Sequence, residues 1–237
     1  MRHIRYIFTI LSVLLLLTYI RAEVLAIDTG FATETLPEKN INSFLKYIKL
    51  SMITEEPRKI AIDCFDVNEK GEIAIGRSEY NNKTVCIYTS DGDFQYGYSF
   101  FSQGSFGVEL NNDILLIYFV RSDIVIAVNP MGEIESILGI KNTIENNSYW
   151  NNFVHLTKRK IGDTEYTIRN DMGFFNLLAS SYSQLVITDK NGNENIIYDV
   201  NSAQFSYMLK SFINKSVIVC IVMGAIIYQL VIIYRKH

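Results

Sequence analysis

The stretch TVCIYTSDGDFQYGYSF, Thr84 to Phe100, reads as a strand, a tight turn at Gly92 and a second strand. The chain writes the pattern again as DIVIAVNPMGEIESILGI, Asp123 to Ile140, and again as QLVITDKNGNENIIYDV, Gln184 to Val200. Aligning Gly92, Gly132 and Gly192 places Thr89, Asn129 and Asp189 three positions before them. Ile87, Ala127 and Ile187 stand five before, Cys86, Ile126 and Val186 six before, and Val85, Val125 and Leu185 seven before. Successive strand residues point to opposite faces, so each copy is apolar on both faces at its centre. Such a strand is covered on both sides.

Two more strand candidates precede each copy. They are IAIDCFDV and EIAIGRS in the first, SFGVEL and ILLIYFV in the second, and TEYTIRN and FFNLLASS in the third. One strand follows each turn glycine: FQYGYSF, EIESILGI and ENIIYDV. Each unit is then a four-stranded meander of about forty residues, a period and strand count that mark β-propeller blades.

With apolar first and second strands joined by a turn of Asn or Asp and Gly, and a third strand ending in SDGD, NPMG or DKNG, the units resemble NHL-like propeller blades over Ile60 to Val200. The resemblance implies a mainly β fold, a partial β-propeller-like array of three four-stranded antiparallel meanders packed radially. It implies no activity, because such blades serve many functions. The repeat domain is 60–200, with blades at 60–100, 101–140 and 160–200 and an insertion at 141–159. Within VHLTKRKIGDTEYTI a hairpin turning at Gly162 and Asp163 extends a blade or covers an open sheet face. Propellers close with about four to eight blades. Three blades in chain order leave the outer faces of the first and third to be covered, by the insertion and the lead-in at 27–59 or by a second chain in two-fold pairing. A self-covered, monomeric body is the expectation, with a homodimer of half-rings as the alternative. In the lead-in, Ile41, Phe44, Leu45 and Ile48 follow helical spacing, and Ile48, Leu50 and Met52 alternate as a strand does. A short helix or irregular segment and then a strand is expected there.

The ends of the 237-residue chain differ from its middle. Residues 1–26 carry Arg2 and Arg5, an apolar run from Ile7 to Ile20 and small residues after it, the layout of a signal peptide, or of an N-terminal anchor if retained. Val217 to Tyr234 holds no charged residue and is long enough for a transmembrane helix. Residues 235–237 form a basic tail, which the positive-inside rule keeps cytoplasmic. The expectation is a membrane protein, single-pass after cleavage or with two spans if uncleaved, whose body is extracytoplasmic. The juxtamembrane segment 201–216 begins a helix at Asn201 or Ser202, both good caps. A net charge of −3 argues against a nucleic-acid partner, and abundant Tyr and Phe with only three Pro favour strands.

No catalytic residues, cofactor site or metal site emerge from the pattern. His155, the body's single histidine, reads as an exposed structural residue. Asp66 to Gly71, DVNEKG, has the opening of a calcium loop, but Lys70 stands where an oxygen ligand is needed, and a plain turn is the simpler reading. The carboxylates Asp63, Asp66, Asp91 and Asp93 show no spacing that selects a pair. Cys64 and Cys86 fall on strands separated by one other, about 9–10 Å apart and beyond disulfide reach, so both read as reduced core residues. Cys220 lies within the apolar run, and three Asn-x-Ser/Thr sequons begin at Asn82, Asn146 and Asn214. Tyr149, Trp150 and Phe153 form the most partner-like cluster, weighed against a role as the cap of a blade. The functional expectation is a non-catalytic, membrane-anchored module that binds or scaffolds an extracytoplasmic protein or glycan. The alternatives are an enzyme acting on carbohydrate or cell-wall polymer and a subunit of a larger membrane complex.

Overall fold

The computed structural model describes residues 29–215 together with Val217 and Met223. The chain divides into two units, Met1–Gly30 and Phe31–His237, and the fold belongs to the second. The segment expected to be a signal or anchor and, apart from two residues, the apolar run at 217–234 lie outside the described residues. Among the described residues no helix is long and apolar enough to cross a membrane.

The described chain is mainly β, in three antiparallel sheets. The first is the meander β3 (Cys64–Val67), β4 (Ile73–Glu79), β5 (Asn82–Tyr88) and β6 (Phe94–Phe101), to which β2 (Ser51–Ile53) adds beyond β6. The second is β7 (Phe106–Asn111), β8 (Ile114–Phe119), β9 (Ile124–Val128) and β10 (Ile134–Ile140), with β1 (Thr33–Thr35) beyond β10. The third is β11 (Lys158–Ile161), β12 (Thr164–Arg169), β13 (Gln184–Thr188) and β14 (Glu194–Asp199).

One turn chemistry builds four of the hairpins. In Asn129–Glu133 the Asn129 side-chain oxygen accepts from the amides of Met131 and Glu133, both at 3.0 Å, while Gly132 takes φ 84° and donates to Asn129 O. Asp189 repeats this with Asn191 and Asn193, and Thr89 holds the Asp93 amide. Asn68 does the same for Lys70 and Glu72, with Gly71 at φ 80°. Asn68–Ile73 and Asn129–Ile134 therefore share the pattern N-x-x-G-E-I, and the suspected calcium loop is a fourth copy of the turn. Its Asn68 oxygen is occupied by the backbone.

The third meander departs from expectation. TEYTIRN is its second strand, not its first, and the hairpin at Gly162 supplies the first pair, β11 and β12. FFNLLASS is not a strand: Gly173–Leu178 is a 3₁₀ turn, entered at Gly173 with φ 56° and held by the Met172 amide on Asn176 Oδ1 (2.8 Å). Its apolar residues Phe174, Leu177 and Leu178 point to solvent rather than alternating into a sheet.

The sheets stack face to face with the first in the middle. From one of its faces Cys64, Ala74, Val85, Ile87, Tyr98 and Phe100 share a core with Val108, Leu115, Ile117, Phe119, Ile126 and Val128 of the second. From the other, Phe65, Val67, Ile73, Ile75, Cys86 and Tyr88 share a core with Tyr166, Ile168, Leu185 and Tyr198 of the third. The expected chain order, with the first and third outermost, is corrected: the outward faces belong to the second and third. The insertion supplies the reason. Its helix Ile144–Tyr149 and the wide turn Trp150–Val154 lie over the outward face of the second sheet, where the Phe31 ring meets Tyr118, Tyr149 and Trp150 at 4.7–5.2 Å between centroids. That face is already occupied, so the third meander folds back onto the first.

The outward face of the third sheet carries Lys158, Lys160, Glu165, Thr167, Arg169 and Glu194 around a buried Val186 and an exposed Ile196. It is laced by Lys158–Glu165 at 2.8 Å and by Arg169 on both oxygens of Glu194 at 3.0 and 2.7 Å. Exposed pairs of this kind add little stability, but they let the face stay wet. In the lead-in, the helix Glu38–Ile48 buries Phe44 and Ile48 against the first core, and Lys49 at φ 50° ends it before β2. The helical segment 201–215 begins at Asn201, as expected, but its first amide is capped by Asp199, whose Oδ1 accepts from the Asn201 amide at 2.7 Å.

Candidate functional site

The first strands of the three meanders, β3, β7 and β11, converge. At that point Asp66 on β3 accepts from the Leu110 amide on β7 (2.8 Å) and pairs with Arg159 on β11 (2.6 Å). Both charged side chains are only 13 % exposed. Arg159 also donates to Phe153 O (2.6 Å) and lies over the Phe65 ring. A single carboxylate thus ties all three sheets and the insertion together.

A cleft of about 500 Å³ is lined by groups from several of these elements. Ser78 at the end of β4 and Lys83 at the start of β5 are cross-strand partners, which sets them side by side. Lys83 Nζ donates to Ser78 Oγ (2.9 Å) and Tyr80 O (3.0 Å), and Ser78 Oγ donates to Asp63. Asp63 faces the cleft, yet packing against its walls pushes its carboxyl up, while the Ser78 hydrogen bond and the Lys83 charge pull it down. Gln103, Gly104 and Ser105 come from the link between the first two meanders, His155 from the insertion and Ser180 from the loop after the 3₁₀ turn. Burial pulls the His155 imidazole below its ordinary value. At the rim Tyr80, held at φ 57°, is 92 % exposed. The set offers a fixed carboxylate, a hydroxyl, a largely buried ammonium and a free aromatic face. Such a set can orient a hydroxyl-rich ligand by hydrogen bonds and stack one of its apolar faces on Tyr80.

The other sequence candidates separate. Tyr149 and Trp150 serve the cover of the second sheet: Tyr149 donates to Glu109 (2.7 Å), and Trp150 packs on Tyr118 and stacks on His155. Phe153, stacked on Tyr149, is 54 % exposed. Tyr118 donates to the other oxygen of Glu109 (2.6 Å). Burial pushes the Glu109 carboxyl up, opposed by these two hydrogen bonds. Of the four aspartates, Asp63 lines the cleft, Asp66 is taken by Arg159, and Asp91 and Asp93 sit in the β5–β6 turn at the far end of those strands. Cys64 and Cys86 are free, buried and on opposite faces of the first sheet, Cys64 in one core and Cys86 in the other. Arg77 is fully buried on the Cys86 side, donating to Arg58 O (3.2 Å), Tyr198 Oη (3.1 Å) and Cys86 Sγ (3.0 Å).

Reasoning from the sequence missed Ser78, Tyr80 and Lys83. A signal was present: Lys83 is in phase with Val85 and Ile87, so its stem had to point into the core side of β5. Comparisons of the chain with family models, with curated proteins and with solved structures returned no match.

Proposed function

We propose that this chain is a non-catalytic, membrane-anchored extracytoplasmic module of three propeller-like blades that binds a glycan or a protein at the cleft around Asp63, Ser78, Lys83 and Tyr80. The propeller reading is supported by three four-stranded meanders stacked face to face with their first strands converging. The anchor reading is supported by the uncharged run Val217–Tyr234 and the basic residues after it. The observation that carries the binding reading is the cleft itself, which collects polar groups from separate elements beside an exposed aromatic. A photo-crosslinking residue at position 80 of the full chain, expressed in intact cells, should yield a discrete adduct. The same residue at Thr167, on the wet face of the third sheet, should yield none. Absence of an adduct at position 80 in a correctly folded chain contradicts the reading.

A further inference from the structure

We infer that the 3₁₀ loop Gly173–Leu178 is a second membrane contact, dipping Phe174, Leu177 and Leu178 into the lipid interface beside the C-terminal helix. The inference rests on the anchor reading above and goes beyond it, because it orients the body on the bilayer. Phe174 is 67 % and Leu177 82 % exposed, and Leu178 is exposed beside them. Surface loops seldom offer three large apolar side chains together to water. Phe175 within the loop turns the other way and packs edge-on against Phe205 and Phe212 of the helical segment, at 5.4 and 6.0 Å. No residue of 201–215 is buried, although Phe205, Leu209, Phe212 and Ile213 follow helical spacing and are all exposed. Loop and helix therefore form one apolar patch that the body leaves uncovered.

What lies next to that patch decides its occupant. The described residues Val217 and Met223 are still helical, and Val217 opens the uncharged run. Phe212 precedes Val217 by a helical rise of about 7.5 Å, comparable with the interfacial layer of about 5–7.5 Å on each side of a bilayer. A loop packed on Phe212 is thus level with the lipid headgroups when the run enters hydrocarbon. Tyr207 adds an exposed aromatic, and Lys210 and Lys215 can lift their ammonium groups to the aqueous side. A second copy of the chain would also bury apolar surface, but only the bilayer must lie where this helix leads.

The test uses the full chain carrying Leu177→Trp, reconstituted into vesicles of phosphatidylcholine with a minor share of phosphatidylglycerol, with and without brominated acyl chains. The unsubstituted chain gives the Trp150 baseline, and Thr167→Trp serves as the reporter of the wet face. The expected result is blue-shifted emission from Leu177→Trp, largely lost in bromolipid, with the Thr167→Trp emission unchanged. Water-like, unquenched emission from Leu177→Trp in a chain that still floats with the vesicles after an alkaline wash overturns the loop contact and leaves the anchor standing. A chain that does not float overturns the anchor and the loop contact with it.

Discussion

Gly92 and Gly192 occupy the same place in two copies of one turn, at φ 89° and 83°. A Cβ in that left-handed region costs about 1–2 kcal/mol at either position. Their surroundings differ. A Cβ on Gly92 would meet Ile197 O at 3.1 Å and Ile197 Cβ at 3.2 Å, whereas Gly192 has open space around it. Gly92→Ala should therefore lower the urea midpoint clearly more than Gly192→Ala, because only the former also pushes the third sheet from the first. Equal losses would show that the two sheets do not meet there. The cysteines give a second test at this scale. Burial pushes both thiols up, with the nearby Asp63 and Asp66 charges adding to the effect at Cys64 and the Arg77 charge opposing it at Cys86. A raised thiol holds less thiolate at neutral pH, so Cys64 and Cys86 should resist iodoacetamide until the chain is unfolded. Mass spectrometry of the unreduced protein should find no link between them.

Between elements, the Asp66–Arg159 pair joins β3 to β11. Removing one partner of a nearly buried pair strands the other, at a cost on the order of 3 kcal/mol. Asp66→Asn should show that loss in chemical denaturation, and Arg159→Met added to it should cost much less than the sum of the single variants; additivity would mean that β3 and β11 are not joined. The cover of the second sheet should respond to pH through Glu109. Its folded value is raised, so the folded chain holds a proton that the unfolded chain has released just above the ordinary glutamate range. Stability from this group is greatest at the acid end of that window and falls as pH rises through the raised value. Glu109→Gln should flatten that slope above the ordinary glutamate range, with denaturation midpoints as the measure. The elements were legible in the sequence where two signals agreed. Gly with a preceding Asn, Asp or Thr fixed the turns, and double-faced apolar strands fixed what lay between them. Where one signal stood alone the reading slipped. FFNLLASS is apolar enough for a strand, but Gly173 and the Asn176 side chain close it into a turn. Lys83 was legible from its phase, yet Ser78 is brought to it by strand pairing and Asp63 by the hydrogen bond from Ser78, neither of which the sequence shows locally.

At the scale of the molecule, sheet order was not legible, because the first and second meanders present the same apolar pattern on both faces and nothing local says which neighbour each will take. The polar alternation of Lys158, Lys160, Glu165, Thr167 and Arg169 did mark the third sheet as one-sided, once TEYTIRN is paired with the strand before it. With one outward face covered by the insertion and the other largely polar around Val186 and Ile196, no extended apolar sheet face among the described residues asks for a second chain. The body from Phe31 to about residue 200 should stay monomeric in light scattering at low micromolar concentration; a stable dimer would revive pairing between copies. The central claim is that the first meander lies between the other two. It is tested most directly at Ile62 and Tyr182, which exchange backbone hydrogen bonds of 2.7 and 2.8 Å between the lead of the first meander and the third. Residues paired in this way lie about 5.5 Å apart at Cα, within disulfide reach. In a chain with Cys64, Cys86 and Cys220 replaced by alanine, Ile62→Cys with Tyr182→Cys should cross-link under mild oxidation, while Ile62→Cys with Trp150→Cys should not. A folded chain in which the first pair stays reduced and the second pair joins would contradict the account.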